Sequence, residues 1–466
     1  MDKLHIYHVN DLHSHFENWP KIAGFLNRKK YEHNRSGEQY LLLDIGDHVD
    51  RFHPMTEATL GKFNIECLNK LQFDGATIGN NEGITLPHEA LDTLYEEAEF
   101  PVILSNLYKK NGTRPEWVRP YEYVELENGM TIALLGVTVF YQTFYDLLGW
   151  KLKDPFESLK ETISEVREKA DYIILLSHLG ITDDEVIAEQ FPEINLVLGS
   201  HTHHLLEEGK RVNETLLCGA GKYGTHVGYV ELGFDSVKKK AVKEKASVYS
   251  IEKEPECEKT VKELAIAQAG VKEKLSQPVA FVKEELELDW FNDSPFGSLL
   301  AQALREWCDG EVSMVNAGML LEPLPEGEVT IGDLHRICPH PINPCKVYLK
   351  GEVIKEVISQ AVTREMEELK LKGLGFRGKI MGKMIFDGIE VSTKTLEDGK
   401  RHVTSIHAGG ELLDLEKTYT VATVDMYTLG PLYPEISHAE KKIFYMPEFL
   451  RDLLAWKLKK IASPEY

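Results

Sequence analysis

Cysteine is scarce in this chain, with six in 466 residues. Cys67, Cys218, Cys257, Cys308, Cys338 and Cys345 lack the spacing of a disulfide framework and are expected to be reduced. Long apolar runs are also missing: no stretch approaches the roughly 20 residues that span a bilayer. Met1-Asp2-Lys3 leads straight into a strand pattern, without the charged, apolar and small-residue parts of a secretory signal. These two absences lead us to expect a cytoplasmic protein. Positive charge is in deficit, 53 Lys and Arg against 75 Asp and Glu, for a formal net charge of −22. That balance argues against a nucleic-acid polymer or an anionic membrane as partner. Internal repeats and low-complexity tracts are absent.

What the chain does have is five short polar clusters, each placed just after an apolar run. They are Asp11-Leu12-His13, Gly46-Asp47-His48, Gly79-Asn80-Asn81-Glu82, Ser177-His178 and Gly199-Ser200-His201-Thr202-His203. The preceding runs, residues 4–9, 40–45, 76–78, 172–176 and 195–198, are β-branched or leucine-rich and read as strands buried on both faces. Polar residues at the C-terminal ends of such strands meet at one edge of a sheet, where open α/β sheets place their sites. Together the clusters offer enough Asp, Asn and His for two metal ions. A nitrogen and oxygen donor set without cysteine suits Mn, Zn, Fe or Co better than Ca or a thiolate site. Such a pair activates water and stabilises both oxygens of an in-line displacement at phosphorus.

Length suggests more than one domain. Residues 225–234 and 246–251 read as closing strands of a first part. Residues 254–275 are rich in Glu and Lys, with Val261, Leu264, Ala265, Val271 and Leu275 at helical spacing. Residues 279–288 restart a strand pattern. The expected division is therefore 1–252, a linker helix over 253–277, and 278–466. His335, Cys338, His340 and Cys345 fall within eleven residues, but their pairs lack zinc spacings and Pro339, Pro341 and Pro344 stiffen the segment, so an ordinary loop is expected.

The clusters resemble those of the calcineurin-like metallophosphoesterases, the 5′-nucleotidase branch in particular. The match is carried by Asn10-Asp11-Leu12-His13-Ser14-His15, Gly46-Asp47, Gly79-Asn80, Ser177-His178 and Gly199 to His203, with Leu104-Ser105-Asn106 and Leu135-Gly136-Val137 in support. The resemblance implies an α/β fold: an N-terminal four-layer α/β/β/α sandwich and a smaller C-terminal α/β domain of 5′-nucleotidase type. It also implies two divalent ions bridged by Asp47, with Asp11, His13 and His203 on one and Asn80, His178 and His201 on the other.

Where most relatives continue Asn-His-Glu with an Asp two positions beyond the Glu, this chain reads Asn80-Asn81-Glu82-Gly83-Ile84. The catalytic His/Asp dyad is thus replaced. An amide at Asn81 can donate a hydrogen bond to the transition state but cannot exchange a proton near neutral pH. His48 and His15 are the candidate substitutes, with His53, His88 and His204 further off and Glu82 expected to orient a neighbouring ligand. The C-terminal part matches through Val315-Asn316-Ala317-Gly318, Gly327 to Leu334, Val347 to Gly351 and Tyr419 to Thr423. There the usual phosphate-binding Arg is replaced, since Asn316-Ala317-Gly318 runs on as Met319-Leu320-Leu321. Asn316, Phe376, Arg377 and Tyr427, with Tyr433 as an alternative ring, are the expected substrate contacts. The resemblance points to a phosphomonoesterase acting on nucleotides. The alternatives are a 2′,3′-cyclic nucleotide phosphodiesterase or nucleotide pyrophosphatase, and a non-catalytic metal-containing nucleotide-binding protein.

Overall fold

Parallel strands with both faces buried need apolar residues throughout, and the runs before the polar clusters supply them. The computed structural model describes residues 2–235, 237–397 and 399–462. It divides into two units, one up to Val271 and one from Lys272. In the first, a seven-stranded sheet runs in the order Lys240–Ser250, His226–Asp235, Asp2–Val9, Gln39–Asp44, Gly75–Ala76, Val102–Ile103, Val118–Arg119. A six-stranded sheet runs Lys210–Val212, Thr215–Cys218, Leu196–Gly199, Tyr172–His178, Thr131–Thr138, Tyr121–Glu125.

The sheets share one core. Leu4, Ile6, Leu41 and Leu43 from the first pack with Ile132, Leu134, Ile174, Leu176 and Leu196 from the second. Helices Pro155–Val166 and Ile181–Gln190 cover the outer face of the second sheet through Leu159, Ile163, Val166 and Ile187. Helix Trp19–Ser36 buries Trp19, Ile22, Phe25 and Leu26 on the first sheet's side. The result is the expected four-layer α/β/β/α order.

Register decides where the site falls. Val9 pairs with Asp44 and Asp44 with Ala76, so three neighbouring parallel strands end level with one another. In the second sheet Ser177 pairs with both Gly199 and Val137. The loops carrying Asp11, Asp47 and Asn80 therefore leave one sheet edge together, and those carrying His178, His201 and His203 leave the other. The expected strand over 76–78 shrinks to Gly75–Ala76.

The expected linker pattern forms helix Glu258–Leu275, with Thr260 its buried residue. The second unit holds a five-stranded sheet in the order Met384–Asp387, Val312–Asn316, Thr418–Val424, Pro344–Lys350, Lys442–Phe444. Its core draws on helices Pro295–Cys308, Gly351–Ala361 and Leu450–Ala462 through residues such as Phe296, Leu304, Ile354, Ile358 and Leu454. No helix among the described residues is long and apolar enough to cross a membrane.

Asp425, just beyond strand Thr418–Val424, carries a pH-dependent cost. Burial pushes its carboxyl up to about 7, against hydrogen bonds from the Asn343 and Met426 backbones. In an unfolded chain the group titrates near 3.8. Between those values the folded state holds more protons, so stability falls as pH rises through the window and the loss is complete above it. Asp425→Asn lacks this slope. Relative to wild type, the variant should gain stability between pH 5 and pH 8 by about 3 kcal/mol, because roughly two of the three units separating the unfolded and folded values lie above pH 5. Calorimetry of the second unit's transition at the two pH values checks it; an unchanged difference in Tm would contradict the assignment.

Candidate metal centre

Five of the seven expected ligands sit in left-handed backbone conformations: Asp11 (φ 50°), His13 (48°), Asp47 (51°), His201 (71°) and His203 (60°). Residues other than glycine rarely adopt this conformation, at a cost of order 1–3 kcal/mol each, and it persists where surrounding contacts over-determine it. Backbone bonds do so here. The Asp11 amide donates to the Gly46 carbonyl at 3.1 Å, His13 to that of Asp47 at 2.8 Å, and Tyr223 to that of Asp11 at 2.7 Å.

The side chains converge in two overlapping groups, Asp11 with His13 and His203, and Asp11 with Asp47 and His178. Asp47 Oδ2 lies 3.7 Å from His13 Nε2 and 3.4 Å from His178 Nε2, between the two. Asp11 Oδ1 is 3.8 Å from His13 Nε2 and 3.5 Å from His203 Nε2. The Nε2 atoms of His13 and His203 are 3.2 Å apart, with ring planes at 86°. Two imidazoles bound to one tetrahedral ion at about 2.1 Å hold their nitrogens roughly 3.4 Å apart, so this pair fits a metal. Buried Asn80 Oδ1 and His178 Nε2 have no hydrogen-bond partner. Orphaned polar atoms of this kind are costly unless a ligand satisfies them. His178 Nδ1 donates to the Ile45 carbonyl at 2.8 Å, which leaves Nε2 bare.

A third group, His5, His33 and Glu38, does not fit. Its imidazoles stack 4.0 Å apart with 21° between planes, and nearly parallel rings cannot both aim in-plane lone pairs at one ion. The hydroxyls of Tyr229 and Tyr7 and the Glu38 carboxylate satisfy them instead.

Electrostatics favour cations at the dimetal groups. Burial works to raise both carboxylates. For Asp11 the bond with His203 and the charge of His178 and His13 outweigh it, and for Asp47 mainly His178 does, so both stay below the usual carboxylate range. Reciprocally, burial opposes protonation of His178, but Asp47 and Asp11 carry it up to about 10. A dication supplies the same counter-charge without the proton.

Several supporting residues escape a reading of the sequence. Asp50, fully buried, places Oδ2 3.2 Å from His13 Nδ1, which turns His13 Nε2 toward the cluster. Asn10 and Ser200 donate to Asp11 Oδ2 at 2.8 and 2.7 Å. The signal for Asp50 was its place three residues after Asp47 in the same loop. Glu82 orients its neighbours as expected: Oε2 accepts from the Asp47 and Gly79 amides at 3.0 and 2.8 Å, and Oε1 from Val49 at 2.8 Å. Burial and the Asp47 charge push Glu82 up to about 7.

Other expectations need correction. Asn81 does not face open space: its amide nitrogen lies 2.9 Å from both Asp47 Oδ2 and His13 Nδ1, so it positions ligands. His48 is buried edge-on against Trp19, takes its contact from the Asn64 amide at 3.2 Å, and is pushed down to about 3 by burial. A group so enclosed cannot deliver a proton to substrate. His15 is on the rim, bonded to Glu17 and packed 4.0 Å from the Tyr223 ring, which in turn meets His13. His53 caps helix Pro54–Thr59, His88 stacks on Trp150, and His204 bonds Thr202. The His201 amide donates to Asp11 at 3.2 Å, while its Nε2 faces the Tyr141 hydroxyl at 3.3 Å.

In the second unit, Phe376 and Tyr427 do not present open ring faces. Phe376 is 3% exposed and stacked on His340, and Tyr427 is fully buried with its hydroxyl bonded to Asn316. Tyr433 is buried too. The Asn316 amide group is held by the Gly382 carbonyl at 2.8 Å. These polar rings and their partner are core. Arg377 is half-buried, its amide donating to His340 Nδ1 at 2.9 Å. With His340 Nε2 at the Met319 carbonyl, both ring nitrogens are engaged; His335 lies on helix Ile331–Ile337 and Cys345 on strand Pro344–Lys350, with residues 338–343 connecting them, and His335, Cys338, His340 and Cys345 form no metal cluster among the described residues.

Residues 4–205 match the family described as calcineurin-like phosphoesterase, and residues 276–431 match the 5′-nucleotidase C-terminal domain. A Bacillus subtilis (strain 168) protein described as uncharacterized metallophosphoesterase YunD is 56% identical over 98% of this chain and 99% of its own length. The trifunctional nucleotide phosphoesterase YfkN of the same organism is 24% identical over 99% of this chain, which spans 34% of that longer protein. A 5′-nucleotidase of Vibrio vulnificus (strain CMCP6) is 24% identical over 93% of this chain and 86% of its own. The structure of Haemophilus influenzae NAD nucleotidase (NadN) superposes with a TM-score of 0.68 at 18% identity, covering 99% of this chain and 96% of its own.

Proposed function

Because the chain belongs to the calcineurin-like metallophosphoesterases with a 5′-nucleotidase-type C-terminal domain, a family of phosphoester hydrolases, we propose that it releases phosphate from nucleotide monoesters. The observation that carries the reading is the pair of ligand groups that overlap at Asp11, with Asp47 Oδ2 within 4 Å of an imidazole of each, and the bare Asn80 Oδ1 and His178 Nε2. Asp11, His13 and His203 would hold one divalent ion and Asn80, His178 and His201 the other, with Asp47 shared. Mn, Zn, Fe and Co all suit this donor set. When bound, the two ions activate water and stabilise charge on the attacking and leaving oxygens.

The protein's own groups prepare that site. Asp50 and the Ile45 carbonyl hold the outer nitrogens of His13 and His178, fixing which nitrogen faces inward. Glu82 pins the Asp47 and Gly79 backbones, and Asn81 bonds Asp47 through both backbone and side chain. Nucleotide substrates are supported by the names of the Vibrio and YfkN relatives.

Asn81 in the dyad position favours a second reading, hydrolysis of cyclic nucleotides or pyrophosphates, whose leaving oxygen needs a proton less. The test is turnover of Mn²⁺-loaded protein on nucleoside 5′-monophosphates, 2′,3′-cyclic nucleotides, dinucleotides and nitrophenyl phosphate, with phosphate and nucleoside both quantified. Chelator-sensitive phosphate release from the monophosphates is expected. Turnover confined to diesters and the nitrophenyl ester would replace the monoesterase reading. Tight nucleotide binding without product would replace both.

A further inference from the structure

Asn81 turns its side-chain amide to Asp47 Oδ2 at 2.9 Å, and no Arg follows Asn316-Ala317-Gly318, so the donors that the resemblance places at a phosphoryl group are missing from their expected places. Tyr141 stands where one is needed. Strand Thr131–Thr138 ends in register with His178, since His178 pairs with Thr138, so the Val139-Phe140-Tyr141 segment leaves the sheet at the ligand edge. The Tyr141 side chain is 37% exposed, and its hydroxyl lies 3.3 Å from His201 Nε2. The His201 ring centroid is 5.4 Å from that of His178.

The tautomer sets the direction of the phenol's hydrogen. Nε2 of His201 faces Tyr141, so in the ligand set proposed above His201 would bind through Nδ1, and a neutral imidazole ligating through Nδ1 carries its hydrogen on Nε2. Nε2 then donates to the phenol oxygen. The Tyr141 hydrogen is left free to point away from His201, into the exposed side of the site.

We propose that Tyr141 donates this hydrogen bond to a non-bridging oxygen of the substrate's phosphoryl group, taking over a contact that relatives make with side chains this chain has replaced. The inference rests on the dimetal reading above and assigns the phosphate contact to the metal-bearing unit itself. Tyr141 keeps its proton throughout; its part is to bind and orient a tetrahedral oxyanion. Hydrogen bonds to charged acceptors are worth about tenfold to a hundredfold in affinity when one donor is removed.

The experiment uses full-length, Mn²⁺-loaded protein and inorganic phosphate as the probe. Tyr141→Phe removes the hydroxyl and keeps the ring. The expected result is a phosphate inhibition constant raised about tenfold or more, a matching fall in kcat/KM for nitrophenyl phosphate, and metal content per chain unchanged. An unchanged inhibition constant would overturn the proposal. So would recovery of wild-type phosphate affinity at higher Mn²⁺, because Tyr141 would then merely steady His201 as a ligand. Phe140→Ala is the control for loop conformation: it should leave the inhibition constant alone, and an equal weakening would assign the effect to the segment, not the hydroxyl. Absence of chelator-sensitive turnover in the wild type would instead sink the underlying hydrolase reading, a result distinguishable from each of these.

Discussion

Asp47→Ala is expected to lose both metal ions and at least about 10³-fold in turnover, the scale on which a dimetal site's charge stabilisation operates. Asp47 is the carboxylate within 4 Å of imidazoles from both groups, His13 and His178. It also accepts the Asn81 amide at 2.8 Å and side chain at 2.9 Å, so its removal unpairs donors and leaves Asp11 to balance the charge alone. Two dications a few ångströms apart repel strongly at low dielectric, and a shared anion offsets that repulsion. Asp47→Asn separates charge from shape. The amide is nearly isosteric and preserves packing, yet it should lose metal almost as fully as alanine if charge is what matters. Metal analysis and turnover on the same preparation, with circular dichroism to confirm the fold, make the comparison. Wild-type turnover in either variant would show that Asp47 is not at the centre of the site.

The parts of this site visible in the sequence are those where one residue type at one chain position does the chemistry. An Asp or His directly after a buried parallel strand can only emerge at the sheet edge, so Asp11, Asp47, Asn80, His178 and His203 were locatable from strand pattern and order. Roles that depend on which way a side chain turns were not. His48 follows Asp47 immediately, yet its ring faces Trp19 in the core, while Asp50, two residues further, reaches back to His13. Phe376, expected as a substrate contact, stacks on His340, 36 residues earlier in the chain. Tyr427, in the turn after strand Thr418–Val424, reaches Asn316 at the end of strand Val312–Asn316, and no local pattern specifies the pairing of those strands. Burial of a ring is decided by such distant partners, and local composition does not carry it. Tyr141 carries no motif that singles it out, and only the structure places it exposed beside His201.

Gly79→Ala should disable the centre without touching a single ligand. A Cβ at Gly79 would sit 2.0 Å from Asp47 Oδ1, 2.6 Å from Asp47 Cγ and 2.5 Å from His178 Cε1. Backbone strain is not the issue, because Gly79 has φ −100°, open to any residue. Space is. The Gly79 amide is held by Glu82 Oε2 at 2.8 Å, so the backbone cannot retreat and Asp47 and His178 must move apart by about an ångström or more. Overpacking of this kind costs about 1–3 kcal/mol, which leaves the protein folded with a modestly lower Tm. The chemical cost is larger, since displacing a positioned group by about 1 Å lowers rates about 10²-fold, and here a candidate bridging ligand and its neighbour are both displaced. Metal content should fall while the fold persists. Because every donor atom survives in this variant, its failure can only reflect geometry, whereas turnover within threefold of wild type would mean that Asp47 and His178 do not need the close approach that a glycine at position 79 permits.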